Sequence, residues 1–241
     1  MTDLLTLSSG AVDLWLATIG AEDPPETGVW RRLLSDDERA RNDRFIAPSA
    51  RRQHLAARAL LRMTLSRYAP SAPNEWRFAA GVHGKPMLAA PAAGRDLRFN
   101  LSHTDGLVAI VVAEGREVGV DVENVTRPID VGSLGKSVFS HPERLAFGAA
   151  SPSAQPGLFF TLWTLKEAYA KALGIGLSRP FAEVAFDLSG EEPRLAFDGW
   201  GRDGDDWRFA SVPPTARHAL AVAAEGGALD LRVFWRGADG C

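Results

Sequence analysis

The sequence predicts an α+β protein with two lobes, and three observations support this fold class. The chain has 241 residues, enough for one large domain or for two lobes of ordinary size, each with hydrophobic material for a core. A short polar break, Glu-Gly-Arg-Glu at 114–117, lies near the middle of the chain. Segments typical of helices and of antiparallel strands occur on both sides of this break, which is the pattern of an α+β fold.

Local signals predict the elements of the first half. Ser35 followed by Glu38 forms a capping-box pattern, which predicts a helix that starts there and ends before Pro48. A second helix over 49–68 carries leucines near one stripe and ends at Pro70. Apolar or alternating runs predict the strands of this half at 11–16, 76–79, 97–101 and 107–113.

The second half repeats this mixture of elements. Helices are predicted at about 141–147 and 159–173, separated by a loop rich in proline, serine and glycine. Gly174 and Gly176 are suitable residues to end the longer helix. Apolar patterning predicts the strands of this half at 117–125, 183–188, 207–211, 219–223 and 229–235.

Composition and motifs exclude several classes of protein. The formal net charge of −3 argues against nucleic-acid binding over the whole surface. Cys241 is the one cysteine, so an intramolecular disulfide or a multi-cysteine metal site is excluded. No basic cluster precedes the apolar residues of the N-terminus, and the longest apolar runs have the length of a strand. We therefore expect a cytoplasmic protein with no membrane or nucleic-acid partner.

The segment 117–125, Glu-Val-Gly-Val-Asp-Val-Glu-Asn-Val, places two carboxylates within a predicted buried strand. Side chains alternate between the faces of a strand, so Asp121 and Glu123 share one face at a spacing of about 7 Å. Burial of two like charges without a partner is costly. A hard cation such as Mg²⁺ would compensate both charges. On this spacing alone, two solvated acids on an exposed face are the simpler interpretation.

Three further segments carry residues suited to phosphate chemistry. Glu167 and Lys171 lie four residues apart on a predicted helix and share a face, although an ordinary surface ion pair has the same spacing. Lys85 lies in a Gly-Lys-Pro turn and could contact a phosphate or remain solvated. Ser102 and His103 follow a predicted strand end, where loops commonly present functional groups. Taken one at a time, each segment also has a purely structural explanation.

The order of these segments is more specific than any one of them. The chain contains, in sequence, Gly-Lys-Pro, Phe-Asn-Leu-Ser-His, Val-Gly-Val-Asp-Val-Glu and Leu-Trp-Thr-Leu-Lys-Glu-Ala-Tyr-Ala-Lys. This ordered set resembles the 4′-phosphopantetheinyl transferase superfamily, in particular its long two-lobed branch, the surfactin-synthetase-activating type. The resemblance covers roughly 35–186. The short single-lobed holo-acyl-carrier-protein synthases share only the last two segments.

The resemblance implies an activity and an architecture. The activity is Mg²⁺-dependent transfer of 4′-phosphopantetheine from coenzyme A to a serine hydroxyl of an apo acyl or peptidyl carrier protein, with release of adenosine 3′,5′-bisphosphate. Mn²⁺ is an alternative metal because it also favours oxygen ligands. The architecture is a monomeric pseudo-dimer of two similar lobes, each with a small antiparallel sheet packed against helices. Coenzyme A is expected in the cleft between a lobe of residues 1–115 and a lobe of residues 116–241.

The resemblance also implies roles for individual residues. Asp121, Glu123 and Glu167 match metal-binding acids, and members of the family differ over whether the residue at Glu123 touches the metal directly. Glu167 is also the expected general base, and Lys171 is expected to neutralise or protonate the departing phosphate. The predicted contacts with coenzyme A are Lys85, Ser102, His103, Asp121, Lys171 and either Arg51 or Arg52, with Arg41 and Arg44 as weaker candidates.

Two alternative functions and one partner surface follow from the same residues. A Mg²⁺-dependent nuclease also uses paired acids and a lysine, but no lysine follows Asp121 within the strand and the chain is not basic. A non-catalytic coenzyme A or carrier-binding module would keep the fold and lose the chemistry, which the intact acids and Lys171 argue against. The candidate segment for docking an acidic carrier helix, which packing of the second lobe explains equally well, contains Lys136, Phe139, Arg144, Leu145 and Phe147.

Overall fold

The computed structural model describes residues 4–90, 92–176, 178–201 and 206–236, and Cys241 lies outside these ranges. The helices are α1 (Thr27–Leu33), α2 (Asp36–Asp43), α3 (Pro48–Leu65), α4 (Val131–Val138), α5 (His141–Ala149) and α6 (Gln155–Leu173). None of these described helices is both long enough and apolar enough to cross a membrane.

Strands form two larger sheets and two hairpins. The strands are β1 (Ala11–Thr18), β2 (Phe78–Ala80), β3 (Pro86–Leu88), β4 (Leu97–Thr104), β5 (Leu107–Glu114), β6 (Val118–Asn124), β7 (Val184–Asp187), β8 (Arg194–Asp198), β9 (Trp207–Thr215), β10 (His218–Glu225) and β11 (Asp230–Arg236). One sheet has the order β11-β1-β5-β4 and the other the order β6-β10-β9. The pairs β2–β3 and β7–β8 are the hairpins. The predicted α+β class is confirmed.

Three apolar clusters show how these layers pack. The first joins α3 to the four-stranded sheet, with Leu61 against Trp15 and its neighbours. The second lies between the two sheets, where Leu14 of β1 and Val120 of β6 belong to one core. The third joins α6 to the three-stranded sheet. Central strands such as β5 are therefore covered on both faces, which explains their continuous apolar sequence.

Most predicted elements are present, and the differences have local causes. The capping box of α2 is formed, since the amide of Glu38 donates to Ser35 Oγ and the amide of Ser35 donates to Glu38 Oε2. α6 begins at Gln155, four residues before its predicted start, because proline in the first turn of a helix sacrifices no hydrogen bond. The sequence does not predict α1, α4, β3 or β8, each of which has eight residues or fewer.

The strand β11 joins the sheet of the first strand. It runs parallel to β1, with Ala11 opposite Asp230, whereas the other strand pairs of the two larger sheets are antiparallel. Arg232 fixes this arrangement by donating to both oxygens of the buried Asp13 carboxylate, at 2.6 and 2.9 Å. The prediction for 229–235 is therefore correct as a strand but not as an antiparallel one. The lobe boundary at 115 stays a prediction.

α6 packs directly on β6 because Gly119 has no side chain. A Cβ atom at this position would lie 2.0 Å from the carbonyl oxygen of Ala168 and 2.5 Å from the amide nitrogen of Ala172. Asp121 and Glu123 follow Gly119 at intervals of two residues and share its face of the strand. The close approach therefore also sets the spacing between these two acids and the side chains of α6.

We expect Gly119→Ala to lower the free energy of unfolding by about 3 kcal/mol, because the added methyl group would overlap backbone atoms of α6. Gly148→Ala is the matched control: this position lies in α5 with nothing within 4 Å of an added Cβ. Alanine there is expected to change stability by no more than about 1 kcal/mol, in the stabilising direction. Urea unfolding followed by circular dichroism measures both changes. A Gly119→Ala variant as stable as the Gly148→Ala variant would contradict the close packing of α6 on β6.

Candidate active site

One buried carboxylate forms the centre of the site. Asp121 on β6 is 4% exposed, and its Oδ1 accepts hydrogen bonds from Lys171 Nζ at 2.5 Å and from Ser102 Oγ at 3.0 Å. Lys171 Nζ also donates to Ser102 Oγ at 3.0 Å. The other oxygen, Oδ2, is buried without a hydrogen-bond partner among the described residues. This orphaned acceptor leaves the carboxylate able to bind a cationic group.

Glu123 lies two residues along the same face and is held by two donors. Its Oε1 accepts from the indole Nε1 of Trp163 at 3.1 Å and from Arg127 Nη2 at 3.2 Å. Burial, followed by repulsion from Asp121, raises the pKa of Glu123 above its usual value, and the two donors and Lys171 oppose this shift. Glu123 is therefore partly compensated before any ligand binds.

Glu167 on α6 is less compensated than Glu123. Burial, together with repulsion from Asp121 and Glu123, raises the pKa of Glu167 to about 7, although Lys171 acts in the opposite direction. A carboxyl group with this pKa is present in both protonation states near neutral pH. Such a group is suited to accept a proton from an alcohol and to release it again.

Lys166 anchors the other side of α6. Its ammonium group is fully buried and contacts Glu143 Oε2 at 2.8 Å and the carbonyl oxygen of Phe181 at 2.8 Å. Glu143 in turn accepts from the backbone amide of Phe186 at 3.0 Å. The first lysine of the α6 motif therefore orients the helix, while Glu167 and Lys171 face the acidic strand.

The three carboxylates suit a hard divalent cation. Repulsion from Asp121 raises the pKa of both Glu123 and Glu167, so the three groups lie within electrostatic range of one another. They do not form a closed ligand shell, since the described residues contain no group of three or more histidine, cysteine or acidic side chains at metal-ligand spacing. The orphaned Oδ2 of Asp121 and the all-oxygen donor set nevertheless fit Mg²⁺ or Mn²⁺, which accept several waters or phosphate oxygens as further ligands.

A cavity of about 480 Å³ lies between α2, α3, the β2–β3 hairpin and β4. His103, the neighbour of Ser102 on β4, lines it. Other lining residues include Asp37, Glu38, Arg41, His54, Arg58 and Phe78. Ser102 and His103 lie within β4 and not in a loop after its end as predicted, and their side chains point to opposite faces of the strand. Burial, followed by the charge of Lys171, lowers the pKa of His103, so this ring on the cavity wall lies within electrostatic range of the acidic cluster.

A buried ion cluster shapes one wall of the cavity. Glu38 Oε1 accepts from Arg58 Nε at 2.6 Å, and Glu38 Oε2 accepts from the buried Arg62 Nε at 2.9 Å. Burial and the neighbouring arginines lower the pKa of His54 on the same wall to about 4, so its ring is neutral at pH 7. Arg41 is exposed and has no ion-pair partner among the described residues, so its charge is available to an anion.

Three residues predicted to contact coenzyme A are bonded to other protein groups in the structure. Lys85 Nζ donates to Glu117 Oε2 at 2.6 Å, and also to the carbonyl oxygens of residues 118 and 172 at 3.3 and 2.7 Å. Arg51 donates to the carbonyl oxygen of Phe45, and Arg52 lies 3.2 Å from the carboxylate of Asp23. A role for these three residues in binding a phosphate stays a prediction.

The predicted docking segment divides between core and surface. Phe139 is 1% exposed and belongs to the α6 core, and Phe147 packs against the same core. Leu145 is 63% exposed, and Lys136 and Arg144 are exposed as well. The packing explanation therefore holds for the two phenylalanines, and the exposed Leu145 and Lys136 are available to a partner. Arg144 is exposed but already donates to the carbonyl oxygen of Phe139 at 2.6 Å.

Sequence reasoning does not identify several residues of the site. Trp163 precedes Glu167 by one helical turn, so the spacing of the α6 motif could have indicated its contact with the acidic strand. The Glu38–Arg58 pair gives no such local signal, because its members come from two different helices. Arg127 lies only four residues after its partner Glu123, so its position next to the acidic strand could have indicated the contact.

Lys171→Met is expected to lower the free energy of unfolding by about 2 kcal/mol, because it leaves the Asp121 carboxylate buried without its counter-ion. The lysine side chain is 29% exposed, so the effect should be smaller than for a fully buried pair. The double variant with Asp121→Asn should recover part of this loss. A double-mutant cycle by urea unfolding measures the coupling, and additive effects would contradict the ion pair.

Comparisons with known proteins point to the same family in both halves of the chain. A family model described as 4′-phosphopantetheinyl transferase superfamily matches residues 117–223, and a model of the N-terminal region of 4′-phosphopantetheinyl transferases matches residues 24–115. The chain is 33% identical over 224 residues to 4′-phosphopantetheinyl transferase HetI of a Nostoc species, covering 92% of this chain and 91% of that protein. It is 30% identical over 169 residues to 4′-phosphopantetheinyl transferase Sfp of Bacillus subtilis, covering 65% and 73% of the two chains.

Solved structures similar to the chain include smaller proteins. Holo-[acyl-carrier-protein] synthase of Thermotoga maritima aligns with a TM-score of 0.38 and 24% identity, over 46% of this chain and 62% of that chain. A Chronobacterium ammoniagenes ACPS–CoA complex aligns with a TM-score of 0.33 and 24% identity, over 47% of this chain and 99% of that chain.

Proposed function

The chain belongs to the 4′-phosphopantetheinyl transferase superfamily and is an enzyme of that kind, and from this premise we propose its reaction. It transfers 4′-phosphopantetheine from coenzyme A to a serine hydroxyl of an apo acyl or peptidyl carrier protein and releases adenosine 3′,5′-bisphosphate. The observation that carries this proposal is the buried Asp121–Lys171 pair beside Glu167. Ser102 of β4 bonds this pair, and the next residue, His103, lines a cavity of nucleotide size. No observation favours the nuclease alternative.

Mg²⁺ or Mn²⁺ fits the acidic cluster as described above. Asp121 and Glu167 would hold the cation, and Glu123 would do so directly or through water because Trp163 and Arg127 already occupy its Oε1. A bound cation would neutralise charge on the phosphate oxygens of the coenzyme.

Glu167 and Lys171 provide the proton and charge transfers of the reaction. The serine oxygen forms a bond to the phosphorus that carries pantetheine, and the bond from this phosphorus to the bridging oxygen breaks. Glu167, with a pKa of about 7, accepts the serine proton. Lys171 uses two of its three N–H donors on Asp121 and Ser102. The third is available to the departing phosphate, so the negative charge develops beside a fixed cation.

We assign the nucleotide end of coenzyme A to the cavity of about 480 Å³. His103 and Arg41 supply polar and cationic groups there, and Phe78 supplies an aromatic surface. This assignment leaves the predicted phosphate contacts of Lys85 and of Arg51 or Arg52 as alternatives that require these side chains to leave their present partners. The exposed Leu145, Lys136 and Arg144 are our candidate contact for an acidic carrier helix.

The transfer itself is tested with the purified protein, coenzyme A, Mg²⁺ and a panel of apo carrier proteins. Mass spectrometry should show a carrier that gains the phosphopantetheine group. Glu167→Gln should lower the rate by about 100-fold or more, because an acid–base group is lost. Asp121→Ala should lower it by about the same factor, because a carboxylate that would hold the cation is lost. Glu192→Gln, an exposed acid of the β7–β8 hairpin, is the control and should leave the rate unchanged. A protein that binds coenzyme A but modifies no carrier would support the non-catalytic module instead.

The nucleotide assignment is tested by binding of adenosine 3′,5′-bisphosphate. Arg41→Gln should weaken this binding about tenfold, because a hydrogen bond to a charged group is lost. Arg52→Gln is the control, and it should have little effect because Arg52 already pairs with Asp23. Isothermal titration calorimetry measures both affinities. The reverse result would favour Arg52 as the contact and contradict the cavity assignment.

A further inference from the structure

A line of polar side chains joins the two large sheets. β4 is the edge of the four-stranded sheet and β6 is the edge of the three-stranded sheet, and the two strands do not pair through their backbones. Instead, three side-chain oxygens of β4 accept backbone amides of β6. Asn100 Oδ1 accepts from residue 120 at 3.1 Å, Ser102 Oγ from residue 122 at 3.4 Å and Thr104 Oγ1 from residue 124 at 3.2 Å. We call these three hydrogen bonds the seam.

The seam follows from the two-residue period of a strand. Asn100, Ser102 and Thr104 share one face of β4, and the amides that they meet are also two residues apart. Every bond spans 20 residues in sequence, so the two strands advance together in the same direction. β6 pairs with β10 along its other edge, so the seam satisfies amides that would otherwise be left at an open sheet edge.

Burial makes the seam specific for one register. Asn100 is 4% exposed and Ser102 is 7% exposed, so solvent has little access to replace them as acceptors. A slip of β6 by one residue would turn the valines toward α6 and the acids toward the core between the sheets. A buried amide that loses its acceptor is costly, and therefore the three acceptors together favour a single alignment of the sheets.

The middle bond of the seam is part of the acidic cluster. Ser102 Oγ accepts from the amide of residue 122 and from Lys171 Nζ, and it donates to Asp121 Oδ1. These three bonds use the full capacity of a hydroxyl group. The position of Asp121 along the direction of β4 is therefore coupled to the seam. Asn100 and Thr104 form the outer bonds and, among the hydrogen bonds of the described residues, have none to Asp121 or Lys171.

Building on the proposed function, we infer that Asn100 and Thr104 are positioning residues for the transfer reaction. They hold β6 at the level where Asp121 and Lys171 bond Ser102, whose chain neighbour His103 lines the nucleotide cavity. One molecule of coenzyme A must reach from that cavity to the acidic cluster, so its reacting phosphate is aligned only when both sheets are in register. Displacement of a reacting group by about 1 Å can cost 100-fold in rate.

Thr104 offers the sharpest test because it is half-buried and Thr104→Val preserves its shape. Without the hydroxyl, the amide of Asn124 loses its acceptor, and kcat for carrier modification should fall about tenfold. Binding of adenosine 3′,5′-bisphosphate should stay within about twofold of the unaltered protein, because the nucleotide cavity does not include this residue. Thr104→Ser keeps an acceptor and should restore kcat.

Amide hydrogen exchange supplies the second measurement. In Thr104→Val the amide of Asn124 should exchange faster, while the amide of Val120, which is bonded to Asn100, keeps its protection. A variant with unchanged kcat would overturn the positioning role. A parallel loss of kcat, nucleotide binding and thermal stability would also overturn it, since the effect would then be loss of folded protein. Failure of the unaltered protein to modify any carrier would overturn the proposed function and this inference together.

Discussion

The contact between the buried Asp121 carboxylate and Lys171 is the interaction on which the rest of the site depends. It joins strand β6 to helix α6, and Ser102 extends it to strand β4 of the other sheet. An isolated carboxylate would be too costly to bury at this position. The lysine makes its burial possible but satisfies only one of its two oxygens. The fold therefore stabilises a charged group and leaves part of its binding capacity unused.

The need to hold Lys171 against the buried Asp121 explains the positions of a small residue, Gly119, and of a second buried ion pair on α6. Gly119 allows α6 to approach β6, so that the side chains of Glu167 and Lys171 reach the acidic strand. Burial, together with repulsion from the other two acids, raises the pKa of Glu167 to about 7, which is useful for proton transfer at neutral pH. On the opposite side of α6, the buried Lys166–Glu143 pair fixes the rotation of the helix. Catalytic geometry and fold stability thus depend on the same few contacts.

Much of the secondary structure was predictable, because the signals that define it are local. Alternation along β6 correctly predicts that Asp121 and Glu123 share a face, and the capping box correctly predicts the start of α2. Short elements such as α4 and the β11 pairing were not predictable in the same way. β11 reaches its parallel partner across most of the chain, and the buried Asp13–Arg232 pair that secures it has no signature in local sequence.

Local sequence is enough to predict which side chains share a face of a strand or helix, since that depends on periods of two and 3.6 residues. With the order of its motifs, it also determined the family. Which faces meet depends on tertiary packing, which places Lys171 on Asp121, Lys85 on three acceptors, and the side chains of β4 on the amides of β6. These contacts join segments distant in sequence, and the packing of two sheets and α6 selects them by burial and hydrogen-bond satisfaction, which no local pattern encodes.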